Sequence, residues 1–284
     1  MKSYRYWKNL CLGMFLCGTV LQVASLEERP LVSPEEQARY EALQAEARRA
    51  YGQGDPEEAL KLYEELQELA PEEGDIAYNR GALLIDLGRY QEAIEAFSEA
   101  EALGALSSHL FHNRGIAFAE TGQLHRSLRD YDRAWEKDPE DPEILNNRGV
   151  VLVRLGERQE AIRSFELARE YGPDYADPLF HLGSIFYDQG EFREAVEYYR
   201  GVLEIDDSFS KARFNLGNAL YQAGEFRLAF EEFLVLHLED RENRDVLHNL
   251  GASALAAAGA TQHDAGQGED AEGNDGGGEG HGDS

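Results

Sequence analysis

Apolar side chains recur three and four positions apart along most of this chain, and short polar or glycine-containing stretches separate the runs. Val150, Val151 and Leu155 form one such group. Residues at these intervals share one face of an α-helix, because the helix turns once in about 3.6 residues. The pattern therefore predicts a succession of helices joined by tight turns.

The pattern has a period of 34 residues, which is most visible in its glycines. One glycine falls inside the first helix of every unit except the earliest, which has Ala47 there: Gly81, Gly115, Gly149, Gly183, Gly217 and Gly251. A second glycine follows seven residues later, where we expect the turn: Gly88, Gly122, Gly156, Gly190 and Gly224. An aromatic residue stands sixteen positions after the first glycine: Phe97, Tyr131, Phe165, Tyr199 and Phe233. We interpret each unit as helix, turn, helix, with the helices pressed together at the first glycine and the aromatic filling the gap between a unit and its neighbour.

The order of small, apolar, aromatic and proline positions in each unit resembles the tetratricopeptide repeat. In the fourth unit the matching residues are Gly149, Leu152, Gly156, Ala161, Phe165, Ala168 and Pro173. The resemblance implies an all-α fold, a right-handed superhelical solenoid of antiparallel helix pairs. It implies six repeats, with a capping helix near 244–257 that completes a solenoid of residues 40–257. The repeats are 40–73, 74–107, 108–141, 142–175, 176–209 and 210–243.

Local signals mark the starts of several helices. Ser33 precedes Pro34 and is followed three residues later by Glu36, which is the composition of a capping box. Asp55 and Asp141 each precede a proline in the same way. Residues 26–39 are expected to form a lead-in to the first repeat.

Residues 1–25 have the composition of an export signal. Basic residues precede an apolar stretch from Leu10 to Ala24, and small residues suit cleavage after Ser25. This predicts secretion across an inner membrane into a bacterial periplasm or cell envelope. Two alternatives are an uncleaved membrane anchor and a buried helix, because the stretch is shorter than the roughly 18–20 residues of a comfortable membrane span.

The composition of the C-terminal residues and the net charge of the whole chain limit the class of partner. Residues 258–284 are rich in glycine, aspartate and glutamate, and this composition predicts a disordered acidic tail. The whole chain has 27 basic and 55 acidic residues, a formal net charge of −28. Nucleic acid and anionic lipid are poor partners for such a chain, since both are bound mainly through lysine and arginine. We expect a protein or peptide partner that is neutral or basic.

A line of amide side chains stands two positions before the first glycines. Its members are Asn79, Asn113, Asn147, His181, Asn215 and Asn249. In the tetratricopeptide family the first helix of each repeat lines the concave face, and asparagine ladders occur in its peptide-binding grooves. Asparagine has both donor and acceptor groups, so it can pair with the backbone of an extended peptide whatever its sequence. The alternative is that these asparagines only bond a neighbouring helix.

Aromatic and acidic residues surround this ladder. The aromatic and imidazole residues that we expect to complete the groove are Tyr78, His112, Phe180, Tyr187, Phe214 and Tyr221. Asp75, Glu143, Asp177 and Asp245 are expected at its edge, which again favours neutral or basic peptides. Arg80, Arg114 and Arg148 directly precede three of the glycines, and their helical angle favours pairing with a carboxylate such as Asp130 on the second helix.

No motif for catalysis or cofactor binding is recognisable, so we predict neither catalytic residues nor a cofactor. The alternative is a metal-binding or catalytic role. It would use His109, His112 and His181 in the groove, together with His263 and His281 of the acidic tail. No ligand spacing supports that alternative, and we do not predict a metal site.

Overall fold

Helices and tight turns alternate through the computed structural model, which describes residues 33–272, with side chains as far as residue 259. The chain divides between Pro139 and Glu140 into two compact units. The described part of the first unit contains α1 (Pro34–Gly52), α2 (Pro56–Leu69), α3 (Gly74–Asp86), α4 (Tyr90–Ala102), α5 (Ser108–Glu120) and α6 (Leu124–Lys137). The described part of the second contains α7 (Pro142–Leu155), α8 (Arg158–Tyr171), α9 (Asp177–Asp188), α10 (Phe192–Ile205), α11 (Ser210–Gln222), α12 (Phe226–Glu239) and α13 (Arg244–Glu272).

Each unit is an all-α array in which consecutive helices pack in pairs. In the first unit the pairs are α1 with α2, α3 with α4, and α5 with α6. In the second unit they are α7 with α8, α9 with α10, and α11 with α12, while α13 packs on α12. The described residues contain no strand. The predicted helix-pair architecture is therefore confirmed.

The predicted helix starts are also confirmed. The Ser33 hydroxyl accepts the Glu36 N–H at 3.2 Å, and the Glu36 carboxylate accepts the Ser33 N–H at 2.9 Å. These two bonds form a complete capping box. The helix α1 thus begins at Pro34, so residues 34–39 of the expected lead-in are already helical. The side chains of Asp55 and Asp141 accept backbone N–H groups at the starts of α2 and α7, without the second, reciprocal bond of a capping box.

The second glycine of each 34-residue repeat makes the turn between its two paired helices. Gly156 ends α7 with φ +83°, in the left-handed region that an L side chain enters only with strain. The equivalent glycines of the other repeats have φ between +71° and +83°. The turn position predicted from the sequence is therefore confirmed.

The first glycine is a contact point between the two helices of one repeat. A Cβ built on Gly149 would lie 2.6 Å from the ring of Phe165, which is fully buried. Gly81, Gly115, Gly183 and Gly217 meet the aromatic residue of their own repeat in the same way. The prediction that this aromatic fills the gap between repeats is thus incomplete. Each aromatic ring packs directly on the glycine of its own repeat. Only a residue without a side chain leaves room for a ring at that point.

The last helix differs from the expectation for the C-terminal region. The sequence predicts a helix near 244–257 followed by disorder, whereas α13 extends to Glu272. The alanine-rich run from Ala252 to Ala260 has high helix propensity, which favours continuation past residue 257. Residues 273–284 and the predicted export signal at 1–25 lie outside the described residues.

Candidate peptide-binding faces and an arginine layer

The first helices of successive repeats contact one another directly within each unit. In the first unit α3 contacts α5, and in the second unit α7, α9, α11 and α13 contact in sequence. We call the surfaces formed by these two sets of helices the first-helix faces. Both carry residues of the predicted ladder.

In the first unit one ladder residue, Asn113, bonds across this face. The side-chain N–H of Asn113 on α5 donates to the hydroxyl of Tyr78 on α3, at 3.2 Å. Asn113 is buried, and His112 beside it is buried against the ring of Tyr131 at 5.7 Å between centroids. Asn79 is half-buried on α3. The structure therefore joins Tyr78 to Asn113 and buries both Asn113 and His112.

In the second unit two ladder asparagines also bond neighbouring helices. Asn249 on α13 donates to the side-chain carbonyl of Asn218 on α11, at 2.9 Å. Asn215 makes a longer bond of 3.5 Å to the Tyr199 hydroxyl. Asn147 is half-buried on α7. Bonding between neighbouring helices is thus one role of this ladder, and peptide binding stays a prediction.

His181 replaces asparagine at the ladder position of α9. Its ring stacks on Phe165 at 5.0 Å and meets Phe180 edge-on at 5.8 Å. Burial lowers the pKa of His181 below its ordinary value of 6.5, and the carboxylate of Asp177 opposes part of that shift. The imidazole is therefore held largely neutral at pH 7.

The predicted aromatic residues of the second unit are half-buried, each against another ring. Phe180 stacks on Phe209 at 5.3 Å, and Phe214 meets Phe233 edge-on at 5.7 Å. Tyr187 and Tyr221 occupy equivalent positions, and each meets the first aromatic residue of the following helix edge-on. Part of each ring remains exposed, so apolar patches accompany the amide ladder.

Acidic side chains gather beside the ladder at the starts of α7 and α9. Burial, and then the carboxylates of Asp141 and Asp177, raise the pKa of Glu143. The negative charge of Asp177 acts to raise the pKa of both Glu143 and His181. This part of the face is therefore negatively charged, and a cation placed there would relieve the repulsion between carboxylates.

The arginines before the glycines point to the second helices, as predicted. The guanidinium of Arg114 forms two bonds to Asp130, of 2.6 and 3.0 Å, and a third to Glu101 of 2.6 Å. Burial lowers the pKa of Arg114, but these hydrogen bonds and charges outweigh it and raise the pKa overall. Arg80 pairs with Glu99 at 3.2 Å. Arg148 donates instead to the hydroxyl of Ser164 at 3.2 Å.

Sequence reasoning missed a layer of arginines over two phenylalanines. Phe111 and Phe118 stand on either side of Arg114 along α5. The guanidinium of Arg133 lies 3.8 Å from the centre of the Phe111 ring, and that of Arg126 lies 4.1 Å from the centre of the Phe118 ring. Both arginines come from α6, so cation–π contacts join the helices.

The described residues contain no group of three or more histidine, cysteine, aspartate or glutamate side chains arranged to hold a metal ion. The groove histidines His109, His112 and His181 are thus not part of such a group, while His263 and His281 lie outside the described side chains. Across residues 33–272, no helix has the length and apolar character needed to cross a membrane.

Comparison with known families agrees with the repeated helix-pair fold. A family model described as tetratricopeptide repeat matches residues 45–108, and a second, described as TPR repeat, matches residues 115–156 and 183–224. Together these matches cover just over half of the chain. The chain belongs to the tetratricopeptide repeat family.

Solved structures of low sequence identity share the fold. A tetratricopeptide repeat protein from Parabacteroides merdae is 17% identical with a TM-score of 0.64, covering 78% of this chain and 88% of its own. The Pseudomonas aeruginosa pilF protein is 15% identical with a TM-score of 0.63, covering 75% and 97%. YrrB, described as a TPR protein with an unusual peptide-binding site, is 24% identical with a TM-score of 0.52, covering 58% and 86%. A search of curated proteins finds no significant match.

Proposed function

We propose that this chain is a non-catalytic scaffold whose first-helix faces bind an extended peptide segment of a partner protein. Membership of the family is consistent with a role in protein–protein interaction. The finer proposal rests on the amide ladder, in which Asn113 and Asn249 each bond the preceding first helix of their own unit.

The bond between Asn249 and Asn218 is the observation that carries this proposal. It uses one N–H of Asn249 and fixes the plane of its amide at 2.9 Å from the neighbouring helix. An amide has two N–H groups and a carbonyl, so the fixed side chain retains a donor and an acceptor for a peptide backbone. A ligand group that is already ordered loses less side-chain entropy when it binds.

The charge of the face supports a neutral or basic peptide. Burial, together with the nearby carboxylates of Asp141 and Asp177, raises the pKa of Glu143. Binding of a lysine or arginine side chain would offset this repulsion, whereas an acidic peptide would increase it. The half-buried rings of Phe180 and Phe214 offer contacts for apolar side chains of the same peptide.

Fluorescence polarisation with basic, neutral and acidic peptide pools tests the proposal. In the test variant Asn147, Asn215 and Asn249 become alanine, and the matched control is Gln91→Ala on the second helix α4, where this amide residue is exposed. We expect the neutral and basic pools to bind the wild type, and the ladder variant to bind them about tenfold more weakly. The control should bind like the wild type. Undiminished binding of these pools by a folded ladder variant would overturn the proposal.

We also propose export to a periplasm or cell envelope, with removal of residues 1–25. Support comes from the basic start, the apolar stretch and the small residues before position 26. Intact-mass measurement on protein recovered from the periplasmic and membrane fractions of a bacterial host tests this. Recovery in the membrane fraction with a mass that retains residues 1–25 would favour the membrane-anchored alternative instead.

A further inference from the structure

A recess of about 350 Å³ lies in the first unit, and no residue of the amide ladder lines it. The helices α4, α5 and α6 enclose it, and the residues that matter here are Glu101, Arg114, Arg126, Arg129, Asp130 and Arg133. Four arginines and two carboxylates therefore line it, which leaves two positive charges in excess. This excess contrasts with the whole chain, whose formal net charge is −28.

The two carboxylates are already committed to two of the arginines. Asp130 binds Arg114 with both oxygens, at 2.6 and 3.0 Å. Glu101 accepts one bond from Arg114 at 2.6 Å and another from Arg133 at 2.5 Å. Burial raises the pKa of Glu101, but hydrogen bonds to Arg133 and Arg114 outweigh it and lower the pKa overall, so this carboxylate is ionised.

Arg126 and Arg129 remain available to a ligand. Arg126 gives one N–H to Gln123 at 2.7 Å, and its guanidinium stacks on Phe118. Stacking occupies the flat face of a guanidinium and leaves its edge, with the other N–H donors, directed outward. Arg129 makes no hydrogen bond or ion pair within the part of the chain that the structure describes. Spacings of three and seven residues put Arg126, Arg129 and Arg133 on one face of α6.

The preceding repeat shows that the fold does not require these arginines. The equivalent positions lie 34 residues earlier on α4, where the chain has Glu92, Glu95 and Glu99. Helix α4 packs against α3 as α6 packs against α5. The same three positions thus accept glutamate in one repeat and arginine in the next. The reversal of charge therefore changes the surface and leaves the helix pair intact.

We propose that this recess is a second binding site, which takes a carboxylate-rich peptide segment of a partner protein. Arg126 and Arg129 bind adjacent carboxylates of that segment through their guanidinium edges. The ring of Phe118 holds the guanidinium of Arg126 in place by stacking. The planar fork of arginine matches the two oxygens of a carboxylate. The scaffold therefore has an acidic region beside its ladder for neutral or basic peptides and a separate cationic recess for acidic ones.

Fluorescence polarisation on the full chain tests this second site. The probes are a labelled peptide rich in aspartate and glutamate, and the same peptide with asparagine and glutamine in their place. We expect the acidic peptide to bind and the amide peptide to bind about tenfold more weakly at about 50 mM salt, where charge interactions are only partly screened. Equal binding of the two peptides would overturn the proposal.

Variants locate the interaction. Arg126→Gln combined with Arg129→Gln should weaken acidic-peptide binding about tenfold, and lysine at both positions should restore part of it because the charge returns without the fork. Arg163→Gln is the matched control, since Arg163 is the equivalent of Arg129 one repeat later and its side chain is 70% exposed. A double glutamine variant that binds like the wild type would overturn the proposal.

Three further arms distinguish this site from the amide ladder, from a phosphate site and from a contact within the chain. The alanine variant of the amide ladder should bind the acidic peptide normally, whatever happens to its binding of neutral and basic pools. A phosphorylated peptide that binds much more tightly than the acidic one would replace carboxylate by phosphate as the ligand.

Neutralising Glu269, Asp270 and Glu272 in the full chain should leave its affinity for the acidic peptide unchanged. A rise in affinity would identify the chain's own C-terminal region as the occupant, and so overturn the assignment to a partner.

Discussion

Replacing Gly149 with alanine perturbs the contact on which the pairing of α7 and α8 depends. The added Cβ would lie 2.6 Å from Cε1 of Phe165 and 2.8 Å from two further atoms of that ring. Contacts this short are not seen for real Cβ atoms, so the ring has to move. It is fully buried, and it also stacks on the ring of His181 at 5.0 Å. The ring therefore has little free space into which it can shift.

Two opposing terms set the size of the effect. Alanine in a helix interior is more stabilising than glycine by about 1 kcal/mol, because it loses less backbone entropy when the chain folds. Overpacking of a well-packed core costs about 1–3 kcal/mol, and the enclosure of Phe165 favours the upper end. We therefore expect Gly149→Ala to lower the free energy of unfolding by about 2 kcal/mol.

Gly251 provides the matched control within the same period. It stands in α13, for which no paired second helix follows in the described chain, and a Cβ built on it meets nothing within 4 Å. Only the propensity gain remains there, so Gly251→Ala should leave stability unchanged or raise it by up to about 1 kcal/mol.

Urea unfolding followed by circular dichroism measures both changes. The midpoint should fall for Gly149→Ala with little change in slope, since the surface exposed on unfolding is nearly the same. Adding Phe165→Leu to Gly149→Ala should cost less than the sum of the single changes, because the methyl group then fills part of the space left by the ring. A Gly149→Ala protein as stable as the wild type, or an equal loss for Gly251→Ala, would refute the packing argument.

Three further predictions use the same unfolding assay. Asp130→Ala should destabilise the chain by about 3 kcal/mol, because Arg114 is left buried with one carboxylate fewer, and the apolar pair Arg114→Met with Asp130→Leu should recover much of that loss. His181 has a lowered pKa in the folded chain, so its contribution is fully present above the unfolded value of 6.5 and is lost as pH falls below it. Between about pH 8 and pH 5.5 the wild type should therefore lose more stability than His181→Asn, and parallel pH profiles would contradict this. Ser33→Ala should cost about 1 kcal/mol by removing the capping bond to Glu36, and an unchanged midpoint would count against a role for the cap.

The periodic parts of the fold were predictable because one interaction recurs at one interval. The turn at Gly156 needs φ +83°, which favours glycine, so its position could be predicted from the spacing of glycines alone. The cap at Ser33 and the pairing of Arg114 with Asp130 were also predictable, since each depends on spacing along one helix or across one pair.

Other features depend on side-chain placement that a period does not specify. The register alone does not show whether Phe165 packs on Gly149 or on the next repeat, and the ring in fact contacts both Gly149 and His181. The stacking of Arg126 on Phe118 was missed for the same reason. One signal was present in the sequence, namely the change from Glu92 to Arg126 at equivalent positions. The extension of α13 was not predicted because the glycine-rich, acidic composition after residue 258 favours disorder, whereas the alanine run before it favours helix.

Contact between the amide ladder and a bound peptide can be observed directly through the side-chain amide resonances of the ladder asparagines. Two-dimensional ¹⁵N–¹H spectra of the chain would be recorded while the tightest member of the basic and neutral pools is added. We predict that the side-chain signals of Asn147, Asn215 and Asn249 shift with saturation at the same peptide concentration as polarisation, while that of Gln91 stays in place. Saturable binding that leaves all three ladder signals unmoved would contradict the claim.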